Sequence, residues 1–124
     1  MKNIIITGST GMVGKGVLLE CLDHHQVAKI LLINRNPIGI NHPKITEIIH
    51  DDFLNFEDIK DSFSGYDACF HCMGITSFGQ KSDYYYRVTF EMTKVITDLV
   101  YEINPNSIMT YVSGEGTSKN ENSK

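Results

Sequence analysis

Ile4-Ile5-Ile6-Thr7-Gly8-Ser9-Thr10-Gly11-Met12-Val13-Gly14 decides how the rest of the chain is read. Residues 3 to 7 form an apolar, isoleucine-rich run of the kind found in a parallel strand covered on both faces. Three glycines at intervals of three follow it. Val13, Val17, Leu18, Cys21 and Leu22 then recur with helical spacing, so the sequence predicts an amphipathic helix over 12 to 24. The opening is a strand, a glycine turn and a helix.

Outward from it, strands alternate with helices. Ile30 to Ile33 reads as a second strand, residues 45 to 49 as a third, 66 to 72 as a fourth and Ile108 to Val112 as a fifth. Asn36 to Lys44 holds two prolines and a glycine and reads as a loop. A short helix is expected from Phe56 to Phe63. The longest helix is expected from Tyr84 to Ile103, with Val88, Met92, Val95, Ile96, Leu99 and Ile103 as its apolar stripe and Asn104-Pro105-Asn106 as its stop. This alternation predicts an α/β fold: a Rossmann-like, doubly wound parallel sheet. Right-handed crossovers give the strand order 3-2-1-4-5. Residues 1 to 113 are expected to form one domain. The segment 114 to 124 has no large apolar residue and is expected to be a disordered tail.

In such a sheet, ligands bind beyond the carboxyl ends of the strands, near the switch between strands one and four. Gly8 to Gly14, Asn34-Arg35, Asp51-Asp52, Cys72-Met73-Gly74 and Ser113-Gly114 all fall there. A pyrophosphate needs backbone N–H donors and close backbone approach, and a glycine turn opening a helix supplies both. Gly8 makes the turn, Gly11 admits the phosphates and Gly14 allows close packing. Residues 8 to 14 (Gly8, Ser9, Thr10, Gly11, Met12, Val13, Gly14) are therefore expected to hold a dinucleotide. An acidic residue about 20 positions on would bind the ribose 2′-hydroxyl of NAD. This chain has Asn34 and Arg35 at that point, and a guanidinium suits the 2′-phosphate of NADP. NADP is the expected cofactor, with NAD the other possibility; a solvated loop charge is the bland account of Arg35.

Gly8-x-x-Gly11-x-x-Gly14 resembles the extended and atypical branches of the short-chain dehydrogenase/reductase superfamily, the NAD-dependent epimerase/dehydratase-like proteins. The resemblance covers nearly the whole chain. It implies that Asp52 and Phe53 lie at the adenine-contacting position and that Cys72, Met73 and Gly74 run along the ribose and nicotinamide. It implies that Tyr111-Val112-Ser113-Gly114 carries the catalytic serine, with Ser113 the best positional match. The sequence departs from the family in one respect. None of Tyr66, Tyr84, Tyr85, Tyr86, Tyr101 and Tyr111 has a lysine four residues later, so the family's Tyr-x-x-x-Lys pair is absent from these 124 residues. The chain is thus expected to be truncated relative to the family fold and inactive alone, or else a non-catalytic NADP(H) sensor or scaffold. Tyr84-Tyr85-Tyr86-Arg87 offers a substitute acid and cation, although aromatic residues opening a long helix more often pack than react.

The remaining features are bland. The net charge of -4 argues against a nucleic-acid footprint. No stretch approaches the roughly 18 apolar residues of a membrane span. The start has no signal-peptide layout, so a cytoplasmic location with reduced thiols is expected. Cys69 and Cys72 form a C-x-x-C within a strand, where an offset of three places them on opposite faces, so they read as structural thiols. His24 and His25 fall at a helix C-terminus, and His71 reads as packed rather than as a ligand. No metal site is expected. With no further helix or strand beyond the fifth strand, self-association is expected through the helix at 84 to 103 or the strand-five edge.

Overall fold

Isoleucine, leucine and valine dominate the strand segments because both faces of the sheet are covered. The computed structural model describes residues 1–72 and 83–111, of which 83–86 by backbone alone. The elements are β1 (Lys2–Thr7), α1 (Met12–Asp23), β2 (Val27–Asn34), β3 (Ile45–Ile49), a single 3-10 turn (Lys60–Phe63), β4 (Ala68–His71), α2 (Asp83–Ile103) and β5 (Ile108–Tyr111). All five strands are parallel, in the order β3-β2-β1-β4-β5. This is the Rossmann-like α/β sheet that the alternation predicted. Met73, Gly74, Ser113 and the tail at 114 to 124 lie outside the described residues.

Period-two alternation divides the core in two. Ile4, Ile6, Ile30 and Leu32 are buried on one face with Leu18 of α1. Ile5, Leu31, Ile33 and Cys69 are buried on the other with Ile96 and Val100 of α2. Cys69 belongs to the α2 layer and Cys72 packs into the α1 layer, so the C-x-x-C straddles the sheet. Burial pushes the Cys69 thiol up to about 12 and the Cys72 thiol up to about 11, so both stay protonated at neutral pH.

The helix expected from Phe56 to Phe63 is not there; only the 3-10 turn at Lys60–Phe63 forms. The backbone closes i→i+3 turns instead, with Ile59 N–H donating to the Phe56 carbonyl at 3.0 Å and Ser62 N–H to the Ile59 carbonyl at 2.9 Å. Asp52 Oδ1 accepts from Leu54 N–H at 3.0 Å, and Asn55 Oδ1 accepts from Glu57 N–H at 2.9 Å. These Asx turns lead the chain into that segment. Phe53, Phe56 and Phe63 are all buried, in edge-on pairs. The second strand is longer than expected, running from Val27 to Asn34. That extension carries Asn34 to the carboxyl edge of the sheet.

Candidate cofactor site

The glycine turn is built by two backbone constraints. Gly8 has φ 72, a left-handed conformation that only glycine adopts without strain. Gly11 N–H then donates back to the Gly8 carbonyl at 3.2 Å, closing the turn. Gly11 is the N-cap of α1, and its carbonyl accepts from Lys15 N–H at 2.8 Å. No side chain caps this helix, and its first turn has no acidic residue. The first N–H groups of α1 are therefore left to an external acceptor, at the positive end of the helix dipole.

The other two glycines differ in kind. A Cβ on Gly14 would overlap the carbonyl oxygen of Gly8, lying 2.7 Å from its carbon and 2.9 Å from Ser9 Cα. Gly14 is needed because helix and turn touch there. A Cβ on Gly11 would meet only the Gly8 carbonyl oxygen, at an ordinary 3.7 Å, and φ is −80. The fold itself does not require glycine at 11. Around the turn, Thr10 and Met12 are exposed, Val13 is half-buried and Ser9 is buried.

The end of β2 divides its two predicted residues between the two faces. Asn34 is buried on the α1 side, where Oδ1 accepts from both Ser9 N–H and Ser9 Oγ at 3.0 Å, and Nδ2 donates to Glu47 Oε2 at 2.8 Å. Ile38 N–H donates to the same Glu47 oxygen at 2.9 Å. Both Asn34 functional groups are thus engaged within the protein. Arg35 is exposed and leans to the α2 side, with its guanidinium 5.6 Å from the centre of the Phe53 ring and Nη2 3.8 Å from Met92 Sδ. Phe53 is buried beneath it, and Asp52 is exposed, its carboxylate held by Leu54 N–H.

Glu47 is the residue beside the candidate site that sequence reading missed. Residues 34 to 36 at the end of β2 include no carboxylate, yet β3 delivers one beside Asn34 because Glu47 pairs with Leu32, two residues before Asn34. The available signal was a glutamate in an otherwise apolar alternation, Ile45-Thr46-Glu47-Ile48-Ile49.

At the switch point, register aligns Thr7, His71 and Tyr111 on β1, β4 and β5. Cys72 N–H donates to the Thr7 carbonyl at 3.1 Å and to Thr7 Oγ1 at 3.3 Å. Thr7 Oγ1 lies 2.7 Å from His71 Nδ1. The hydroxyl has two acceptor lone pairs and one hydrogen, so this contact is a hydrogen bond in either ring tautomer, with Nδ1–H donating to Oγ1 or the hydroxyl donating to Nδ1. His71 is fully buried, and Nε2 has no hydrogen-bond partner among the described residues. Burial lowers its pKa to about 4, so the ring is neutral.

Among the described residues, no group of three His, Cys, Asp or Glu side chains could hold a metal ion, and no helix is long and apolar enough to cross a membrane.

Sheet order, glycine turn and uncapped helix together define a Rossmann-like α/β domain. The chain belongs to the NAD dependent epimerase/dehydratase family, whose model it matches over residues 4–123. It is 28% identical over 89 residues to Protein HTATIP2 of Rattus norvegicus, covering 70% of this chain and 37% of that protein. It is 23% identical over 101 residues to the decarboxylating sterol-4-alpha-carboxylate 3-dehydrogenase of Mus musculus, covering 82% and 27%. Among solved structures, uronate dehydrogenase from Agrobacterium tumefaciens, a point mutant complexed with NAD, superposes with a TM-score of 0.71 at 19% identity, covering 94% of this chain and 42% of that one. The chain therefore spans well under half the length of these relatives.

Proposed function

We propose that this chain is the dinucleotide-binding portion of an NAD(P)-dependent oxidoreductase or epimerase, with NADP favoured over NAD. The observation that carries the proposal is the N-terminus of α1, uncapped and fronted by a glycine that the fold does not need. A pyrophosphate explains both. Residues 8 to 14 would hold it, with backbone N–H groups as donors and Thr10 and Met12 exposed beside it. Asn34 would position the turn through Ser9 rather than touch the cofactor. Arg35, stacked on Phe53 with its other donors open, would meet a 2′-phosphate. Asp52 and Phe53 would line the adenine end, and Cys72 to Gly74 the ribose and nicotinamide. Ser113 would be the catalytic serine.

The bound nicotinamide would supply hydride transfer to or from a carbonyl or alcohol carbon. The residues described would bind and orient it. The family's Tyr-x-x-x-Lys is not among these 124 residues, so this portion is proposed to bind without turnover.

A parallel thermal-shift titration with NADP and NAD is the direct test. NADP should stabilise the protein more than NAD at equal concentration. Arg35→Asp should shift the affinity ratio toward NAD by on the order of tenfold or more, as charge-assisted hydrogen bonds of this type imply. An unchanged ratio removes Arg35 from the site, and no shift with either cofactor removes the site itself.

We also propose self-association through the β5 edge and the outer face of α2. Ile108 is 66% exposed and Phe90 65% exposed, and β5 is an edge strand among the described residues. Light scattering should give a mass above 14.0 kDa that rises with concentration. A constant monomer mass would rule out this interface.

A further inference from the structure

We infer that Glu47 is the positioning residue of the cofactor site: it orients the glycine turn through Asn34, and its charge disfavours a 2′-phosphate. The inference rests on the dinucleotide reading above. Four hydrogen bonds join segments distant in sequence. Glu47 Oε2 gathers Asn34 Nδ2 and Ile38 N–H, and Asn34 Oδ1 gathers the N–H and Oγ of Ser9. The direction of the relay follows from chemistry. An ionised carboxylate only accepts, so the side of Asn34 that faces Glu47 must be its NH2. Asn34 is then obliged to present its oxygen to Ser9, the residue following the left-handed Gly8. Asn34 is 1% exposed and Ser9 0% exposed, so neither has water as an alternative partner. Without an acceptor at 47, the Asn34 amide loses its fixed orientation and the turn loses the oxygen that holds Ser9. The same carboxylate secures Ile38, three residues after Arg35, and so limits the path of the loop that carries the guanidinium.

The charges at the end of β2 are arranged to oppose one another. Glu47 lies on the α1 side beside Asn34, while Arg35 turns to Phe53 on the α2 side. The described structure contains no ion pair between them. A ligand at the strand end therefore meets both fields, and a 2′-phosphate, which carries more negative charge than a hydroxyl, is the one opposed by Glu47.

Calorimetric titration of NADP and NAD into the native chain, Glu47→Ala and Glu47→Gln tests both parts, with circular dichroism and a melting curve for each variant. Glu47→Ala should weaken both cofactors by about tenfold, the size expected when a charged acceptor is withdrawn from a buried network. Glu47→Gln keeps an oxygen for both donors. It should hold NAD within about threefold of native and raise the NADP-to-NAD affinity ratio by about threefold, as the loss of one partly screened charge implies. Native affinities in a folded Glu47→Ala, or a Glu47→Gln that binds as weakly as Glu47→Ala or leaves the ratio unmoved, overturn the inference. If the alanine variant does not fold, the glutamine variant decides alone through NAD affinity and the ratio. A native chain that binds neither cofactor overturns the dinucleotide reading instead.

Discussion

Gly14→Ala is expected to lower the stability of the chain by about 3 kcal/mol or more, at the upper end of what overpacking costs. The added methyl overlaps the Gly8 carbonyl oxygen, and every neighbour it meets is backbone. Neither side can yield cheaply. Gly8 is held in a left-handed conformation, and Ser9 is tied by two hydrogen bonds to the buried Asn34. Two other glycines supply the contrast. Gly16 lies in the same helix, and a Cβ there meets nothing within 4 Å, so Gly16→Ala should stabilise by about 0.5–1 kcal/mol through helix propensity. Gly11→Ala should change stability by less than about 0.5 kcal/mol, since its Cβ makes only ordinary contact and its φ suits any residue. Its effect should appear as weakened cofactor binding. Urea denaturation of the three variants reads the first two effects, and titration with NADP reads the third. Equal stabilities for Gly14→Ala and Gly16→Ala would falsify the close contact between helix and turn.

The second large effect is a loss of stability in acid. His71 is fully buried with Nε2 unpartnered among the described residues, and burial lowers its pKa from 6.5 to about 4. The folded state thus resists a proton that the unfolded chain takes up readily. Stability from this group is complete above pH 6.5, falls as the pH drops through the window down to about 4, and changes no further below it. The difference amounts to about 3 kcal/mol at one pKa unit per 1.36 kcal/mol. His71→Asn keeps an oxygen where Nδ1 meets Thr7 but cannot titrate. Between pH 7 and pH 4, native protein should lose about 3 kcal/mol more than this variant in denaturant melts. Identical pH profiles would place the acid sensitivity elsewhere. Carboxylates titrate in the same range, which is why the difference between the two proteins, rather than the native profile, is the quantity to measure.

Much of this protein was legible in one pass along the chain. The isoleucine run, the glycine spacing and the helical stripe are local patterns, and they placed β1, the turn and α1 to within a residue or two. The strand order followed because parallel strands with right-handed crossovers permit few alternatives. The opposite-face placement of Cys69 and Cys72 came from the pleat alone. The expected helix at 56 to 63 shortened to a 3-10 turn, because the backbone there closes i→i+3 turns that apolar spacing does not register.

The partners of the site residues were a different matter. Asn34 was expected at the carboxyl edge of β2, but its engagement with Ser9 on one side and Glu47 on the other depends on β2 and β3 pairing in one particular register. Arg35 was identified by its charge, but its seat over Phe53 depends on how the chain returns after β3. His71 was read as packed, yet its complete burial with one nitrogen unmatched arises only when β1, β4 and β5 bring Thr7 and Tyr111 to it. Sequence by itself determined the fold, the glycine turn and which residues stand at the carboxyl edge of the sheet, because periodicity and backbone freedom are properties of neighbouring residues. Tertiary structure alone decided which side chains meet at that edge, because hydrogen bonds between strands are set by register, and register couples residues that periodicity treats as independent.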